Sequence, residues 1–150
     1  MIGFLALARE TFDIEYAFKK YKKFELFIDS LDSNLAKFSK LITNDKNGNE
    51  AINYFKKLNC KKFVIVQTTF TDAKFITKFA ETFNKPIHLI SFTEPRTGKR
   101  LRLNSLCGVN LAIHSLMKFK HSPNFSIFIN NKTHDTNEFK DFILNNKKNK

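Results

Sequence analysis

Short runs of apolar residues alternate along this chain with longer segments in which apolar residues recur every three or four positions. The runs that predict strands lie at residues 2–7, 26–28, 63–66, 87–92 and 125–129. Runs this short and this apolar are typical of strands buried on both faces of a sheet.

The segments between these runs predict amphipathic helices, because their apolar residues fall on one helical face. Such segments lie at residues 11–23, 30–42, 51–58, 71–83, 105–117 and 138–144, and a polar turn is predicted at 44–49. Leu31, Leu35, Phe38 and Ile42 carry the helical spacing in the second of these segments.

Strands that alternate with helices predict an α/β fold with a doubly wound, mainly parallel five-stranded sheet. We expect a Rossmann-like or flavodoxin-like sheet with the strand order 2-1-3-4-5. Ligands in such sheets bind beyond the carboxyl ends of the strands. A single domain is predicted over residues 1–144, followed by a basic disordered tail at 145–150.

Composition restricts the class of protein further. Hydrophobic residues make up 42% of the chain, yet no run approaches the roughly 20 residues of a membrane helix. The first residues resemble a strand more than a secretory signal. Cys60 and Cys107 have no metal-type spacing and are interpreted as reduced thiols. These features predict a cytoplasmic protein without a membrane partner.

The net charge of +12 raises the question of nucleic-acid binding. The cations are mostly lysines scattered over predicted helix faces and the last residues, rather than a continuous phosphate-binding track. We therefore expect no specific nucleic-acid partner, and a basic nucleic-acid-binding protein remains the least favoured alternative.

The arginines are the most informative polar residues. The chain has only four, and Arg9, Arg96, Arg100 and Arg102 all follow predicted strands one and four. Arginine offers a planar fork that lysine cannot imitate, which favours a binding role. The alternative is a structural arginine paired with Glu94 or Glu10.

Polar loops follow the third and fourth strands. The long loop from Thr93 to Arg102 contains Pro95 and Gly98, and long polar loops after buried strands are often functional. Gln67, Thr68 and Thr69 leave the third strand and offer amide and hydroxyl groups suited to polyols. Their alternative role is to cap the helix that follows.

The usual signatures of catalysis and metal binding are missing from the sequence. There is no Walker loop, dinucleotide glycine pattern or nucleophile elbow, and no pair of carboxylates is placed for acid–base work. Cys107 and His114 lie about 10 Å apart by helical rise, too far for a nucleophile and its base. We predict no catalytic and no metal-binding residue in this chain.

Three blocks of sequence are informative together: Ile2–Arg9 with Thr11-Phe12-Asp13, then Gln67–Lys74, and then Glu94–Gly98 with Leu103–His114. They resemble the N-terminal domain of the L-fucose isomerase and L-arabinose isomerase superfamily. The resemblance implies a Rossmann-like domain of an aldose–ketose isomerase, an intramolecular oxidoreductase of carbohydrate metabolism that uses a divalent metal, commonly Mn²⁺.

The resemblance also implies that this domain lies at a subunit interface and that its loops reach the sugar in a neighbouring subunit. The predicted substrate-binding residues are Arg9, Gln67, Phe70, Glu94, Arg96 and Asn104. The expected partners are a monosaccharide, a catalytic domain or second polypeptide, and further copies in a homo-oligomer.

The metal ligands of the family lie in later parts of its members, and none transfers to this sequence. We therefore expect a substrate-contacting domain that binds no cofactor itself and does not isomerise sugars alone, whether as a fragment, a truncated gene product or one subunit. The alternative is a stand-alone module that binds a sugar or an anionic metabolite.

Overall fold

The computed structural model describes residues 1–31, 34–96, 98–119 and 122–144. Its strands are β1 (Ile2–Leu7), β2 (Leu35–Ile42), β3 (Lys62–Gln67), β4 (Ile87–Phe92), β5 (Asn124–Ile129) and β6 (Lys132–Thr133). Its helices are α1 (Ile14–Asp29), α2 (Asp45–Lys56), α3 (Lys74–Phe83), α4 (Ser105–Leu116) and α5 (Thr136–Leu144).

The strands form one sheet in the order β2-β1-β3-β4-β5-β6, in which the first five are parallel. The predicted doubly wound α/β fold is confirmed, and so is the order 2-1-3-4-5 of its parallel part. The sixth strand is an addition that the sequence analysis did not predict. It runs antiparallel to β5 after a two-residue turn at Asn130 and Asn131, whose φ angles are 53° and 60°.

The predicted strand at residues 26–28 is wrong, because α1 continues through it to Asp29. Phe24 and Ile28 lie four residues apart on the inner face of α1, and both are fully buried. In the run Leu26-Phe27-Ile28, the isoleucine therefore belongs to the apolar face of a long helix, whereas the leucine is exposed. Short apolar runs do not distinguish a strand from a helix by themselves.

The predicted helix at residues 30–42 is also wrong, since β2 occupies Leu35–Ile42. Ala36 and Phe38 are buried and two residues apart, which is the alternation of a strand. The predicted polar turn at 44–49 is the start of α2 instead. The Asn44 side chain accepts a hydrogen bond from the Asn47 amide at 2.9 Å and caps this helix.

Two hydrophobic cores lie on opposite faces of the sheet. Helices α2, α3 and α4 cover one face, and helices α1 and α5 cover the other. Phenylalanine rings fill both cores: Phe63 meets Phe79 at 4.8 Å between centroids on one face, and Phe24 meets Phe128 at 5.2 Å on the other. Each fully buried ring contributes roughly 1.5–3 kcal/mol of hydrophobic stabilisation.

The chain's last predicted helix, at residues 138–144, corresponds to α5, which begins two residues earlier. The predicted tail at 145–150 lies outside the described residues. No helix within the described ranges is long and apolar enough to cross a membrane.

Candidate functional site

The carboxyl ends of β1, β3 and β4 lie side by side, because these strands are neighbours in the parallel sheet. Their loops therefore meet at one edge, as expected for ligand sites in doubly wound folds. The loops are joined by backbone hydrogen bonds: Thr68 donates to Leu7 at 3.0 Å, and Phe70 donates to Leu103 at 2.8 Å. These bonds hold residues of all three loops in fixed positions.

Arg9 follows β1 and presents its guanidinium group at this edge. Its backbone amide donates to Thr69 Oγ1 at 2.8 Å, which attaches the β1 loop to the β3 loop. The guanidinium carbon lies 5.3 Å from the centroid of the Phe70 ring. The Arg9 Nη2 atom lies 3.6 Å from Asp72 Oδ2. The side chain is 40% exposed, so a cation in a defined position remains accessible to a ligand.

A cavity of about 360 Å³ opens beside Arg9, between the N-terminal ends of α2 and α3. This volume lies within the usual range of small-molecule sites. Gly48 lets α2 pack closely on Phe75 in the wall of the cavity, because a Cβ atom at this position would come 2.9 Å from the Phe75 ring. Polar groups of both helices and of the segments just before them line the cavity with Arg9: Thr43, Asn44, Asp45, Asn49, Thr71, Asp72, Lys74 and Lys78.

Gln67 lies beneath this edge with 1% of its surface exposed. Its amide nitrogen donates to Thr69 O at 2.9 Å and to Thr71 Oγ1 at 2.6 Å. These bonds brace the turn that carries Phe70, rather than capping α3. Gly108 of α4 packs directly on it, because a Cβ atom there would come 2.8 Å from Gln67 Cγ.

Glu94 closes the long loop after β4. Its carboxylate accepts hydrogen bonds from the backbone amides of Arg102 and Leu103, both at 2.9 Å, and from that of Asn104. Asn104 itself has a left-handed backbone with φ 53° at the start of α4. Three amide donors that converge on one carboxylate fix the backbone at the end of this loop.

The arginines of this loop differ in their surroundings. The Arg102 guanidinium forms an ion pair with Asp13 at 2.6 Å and stacks on the Tyr16 ring at 4.1 Å, which fastens the loop to α1. The structural partner of an arginine here is thus Asp13, in place of the Glu94 or Glu10 that the sequence suggested. Arg96 and Arg100 are exposed on the loop surface.

Two polar contacts join α1 to the long loop and have no signal in the sequence. Lys20 Nζ donates to Thr93 O at 2.6 Å and to Thr93 Oγ1 at 2.9 Å. Burial lowers the pKa of this ammonium group, and the nearby Glu94 carboxylate partly opposes that change. The Tyr16 amide and Arg102 together lower the pKa of Asp13. No local sequence signal relates residues this far apart in the chain.

The predicted substrate-binding residues therefore fall into three groups. Arg9 and Phe70 lie together at the open edge, and Arg96 is exposed on the neighbouring loop. Gln67, Glu94 and Asn104 brace the two loops from beneath or within. Among the described residues, no three His, Cys, Asp or Glu side chains come together to hold a metal ion.

Comparison with known proteins gives one consistent picture. A family model described as fucose/sulfoquinovose isomerase, N-terminal domain, matches residues 3–146. Sulfoquinovose isomerases of Priestia aryabhattai and of Priestia megaterium (strain ATCC 12872 / QMB1551) are each 29% identical to the chain over 118 residues. These matches cover 79% of the chain but 26% of each relative, so the chain spans about a quarter of the length of these relatives.

Proposed function

The chain belongs to the fucose/sulfoquinovose isomerase N-terminal domain family, and from this membership we propose that it is the substrate-contacting domain of an aldose–ketose sugar isomerase. In this proposal the carboxyl edge of the sheet holds a monosaccharide. The proton transfers of isomerisation take place in a catalytic domain or on a second polypeptide.

The observation that carries the proposal is the placement of Arg9. Its guanidinium group is held over Phe70 by the ring face and by Asp72, yet 40% of the side chain stays exposed. A fixed planar cation offers paired N–H donors to vicinal hydroxyl groups or to an anionic substituent. Phe70 adds an apolar ring of the kind that packs against the C–H face of a sugar.

The adjoining cavity supports the same assignment. Its amides, hydroxyls, carboxylates and ammonium groups give both hydrogen-bond donors and acceptors. A polyol needs both, because each hydroxyl donates one bond and accepts others. We assign Asn44, which caps α2, and Asn49 of α2 to the sugar hydroxyls.

The divalent metal that the family implies does not fit the described residues. The described ranges bring no three metal-binding side chains together, and we route no chemical step through a metal on this chain. We therefore expect the chain by itself to bind a sugar without isomerising it.

We further propose that the preferred sugar carries an anionic group. The relatives named above are isomerases of sulfoquinovose, a sulfonated sugar. Arg9, Lys74 and Lys78 place three cations around the cavity against the carboxylates of Asp45 and Asp72. A sulfonate would pair with the surplus positive charge, whereas fucose would rely on hydrogen bonds alone.

Thermal unfolding of the purified chain tests the proposal. We expect sulfoquinovose to raise the melting temperature more than fucose does, with or without Mn²⁺. A ligand at a hundred times its dissociation constant adds about 2.7 kcal/mol to the free energy of unfolding. For a domain of this size that corresponds to a shift of roughly 5–10 °C.

Arg9→Ala should abolish the sugar-induced shift, and Arg96→Ala should reduce it. The matched control is Lys56→Ala, which removes one positive charge at the opposite end of α2. The assignment to this edge fails if Arg9→Ala binds the sugar as tightly as the unaltered chain. Equal binding of sulfoquinovose and fucose would contradict the anionic preference alone.

A stand-alone binding module is the second candidate, and the same edge would serve it. The two functions differ in what a catalytic part adds. The experiment mixes this chain with the remaining three-quarters of a related sulfoquinovose isomerase. If the sugar affinity of the chain stays unchanged and the mixture has no isomerase activity, a stand-alone binding module is the better description.

A further inference from the structure

Three polar residues leave β3 at the carboxyl edge of the sheet, and all three are buried. Gln67 is 1% exposed, and Thr68 and Thr69 are fully buried. A buried hydroxyl group cannot contact a sugar that enters from solvent, so the groups that suit polyols in the sequence are used by the protein itself. The two threonine hydroxyl groups therefore act through the residues to which they are bonded.

The Thr69 hydroxyl group bonds to two residues at once. Its Oγ1 atom accepts a hydrogen bond from the Arg9 backbone amide at 2.8 Å and donates one to the Phe70 carbonyl oxygen at 2.9 Å. A hydroxyl group has one donor and two acceptor positions, so the same atom can form both bonds. Arg9 and Phe70 are the residues whose side chains meet at the open edge. Thr69 thus joins the backbones of both to one point.

The surroundings of Thr69 keep its hydroxyl group in a fixed direction. Threonine is branched at Cβ, which restricts its χ1 angle. The Thr69 carbonyl oxygen accepts a hydrogen bond from Gln67 Nε2 at 2.9 Å, which holds its backbone as well. The Phe70 amide donates to Leu103 O at 2.8 Å, so Phe70 is held through both its amide and its carbonyl group.

We propose that Thr69 is a positioning residue of the sugar site, whose hydroxyl group sets the Arg9 guanidinium group against the Phe70 ring without contacting the sugar. This inference rests on the proposed function, which assigns both side chains to the sugar. Without the hydroxyl group, the Arg9 amide and the Phe70 carbonyl oxygen lose their partner, and a backbone group left unpaired in this way is drawn towards water. The guanidinium group then leaves the face of the ring.

The neighbouring Thr68 provides a matched comparison. Its Oγ1 atom donates to the Leu7 carbonyl oxygen at 2.6 Å, so it is an equally buried hydroxyl group bonded to the end of β1. Within the described part of the chain, this hydroxyl group bonds to Leu7 rather than to Arg9 or Phe70. Its removal should therefore destabilise the domain in a similar way and leave the two sugar contacts in place.

Calorimetric titration of sulfoquinovose into the full chain tests the proposal. Thr69→Val keeps the shape of the side chain without its hydroxyl group, and it should weaken binding roughly tenfold because the two contacts are no longer preorganised. Thr69→Ser keeps the hydroxyl group and should restore most of the affinity. Thr68→Val, the control, should bind like the unaltered chain. Circular dichroism checks folding, and Thr69→Ala takes the place of a valine variant that does not fold.

The reactivity of Arg9 towards phenylglyoxal gives a second measurement that needs no sugar. Phenylglyoxal modifies guanidinium groups, and mass spectrometry of the peptide that contains Arg9 follows the rate. We expect Arg9 to react faster in Thr69→Val than in Thr68→Val or the unaltered chain, because its side chain, now 40% exposed, becomes more exposed when it leaves the Phe70 ring. Arg96, exposed on the long loop, should react at the same rate in all three chains.

The outcomes distinguish this inference from the proposed function. If the unaltered chain binds no sugar, the proposed function fails, and an unchanged Arg9 rate in Thr69→Val then overturns the role of Thr69 as well. If the unaltered chain binds sulfoquinovose and Thr69→Val binds it as tightly, Thr69 does not position the site. Equal weakening by Thr68→Val and Thr69→Val also overturns the proposal, because the loss of affinity would then follow stability alone. A Thr69→Ser chain that stays as weak as Thr69→Val assigns the effect to the methyl group instead.

Discussion

The two sides of strand β5 differ sharply. On one side Phe128 is 2% exposed and packs among the rings of Phe24, Phe27 and Phe92. On the other side Phe125 is 36% exposed, and the helix layer stops short of it. The same strand, with similar residues on both sides, is thus covered on one side only by the described part of the chain.

This difference shows that an apolar pattern alone does not tell whether both sides of a strand are covered. The residues 125–129 alternate in burial, yet the sequence there is almost continuously apolar. A continuous run predicts a strand that is buried on both faces. Within the described residues, the fold supplies only one of these covers.

Truncating one ring on each side of β5 tests this difference most directly. Phe128→Ala should lower the free energy of unfolding by about 3–5 kcal/mol, because it leaves a cavity in a packed core. Phe125→Ala should cost less than about 1 kcal/mol, because the ring it removes is partly exposed. Urea unfolding at low protein concentration measures both. Similar losses for the two variants would mean that the sides do not differ.

A histidine on the covered side makes the comparison sensitive to pH. His88 is 2% exposed, its Nε2 lies 2.6 Å from Ser126 Oγ, and the rings of Phe139 and Phe142 pack on it. Burial lowers the pKa of its imidazole to about 4, with the Asp135 charge opposing and His134 adding to the change. The neutral form is therefore the one that the folded state favours.

The resulting stability is complete above pH 6.5, the ordinary pKa of histidine in the unfolded chain, and is lost as the pH falls towards 4. We expect His88 to contribute a loss of about 3 kcal/mol over this interval. His88→Gln should remove that part of the pH dependence. The expectation fails if the unaltered chain and His88→Gln lose stability in parallel.

A smaller effect sharpens the comparison from the inner side of α4. Gly108→Ala would place a Cβ atom 2.8 Å from Gln67 Cγ and 3.1 Å from Phe70 Cα. We expect a net destabilisation of roughly 1–2 kcal/mol, since overpacking exceeds the gain in helix propensity. Asn110→Ala, exposed on the same helix, is the control and should change stability by less than about 0.5 kcal/mol. A Gly108→Ala chain that is more stable would show that α4 is not packed closely on the β3 turn.

Much of the fold could be predicted because four strands are continuous apolar runs. β1, β3, β4 and β5 were located to within one residue at either end. β2 was missed because Leu35, Phe38 and Ile42 fit helical spacing, although in the strand Leu35 lies on the opposite face from the other two. The exposed Ser39 and Lys40 also interrupt the alternation expected of a strand. β6 has only two residues, Lys132 and Thr133, and no pattern of its own.

The candidate site was predictable in position but not in its internal contacts. Arg9 and Phe70 follow neighbouring strands, and the sheet order brings them together. The carboxylate of Glu94, by contrast, binds backbone amides, which carry no residue-specific signal. The contact of Lys20 with Thr93 joins residues 73 positions apart, so only the three-dimensional fold reveals it.

The hairpin at Asn130 and Asn131 also has a consequence for aggregation of the protein. Residues 125–129, Phe-Ser-Ile-Phe-Ile, are uncharged and rich in strand-forming residues, a composition that favours cross-β stacking into fibrils. Because β6 pairs with Phe128 and Ile129, the backbone at this end of β5 is not open to a foreign strand. The turn at Asn130 and Asn131, which brings β6 onto β5, therefore protects this end of β5 from pairing with strands of other molecules.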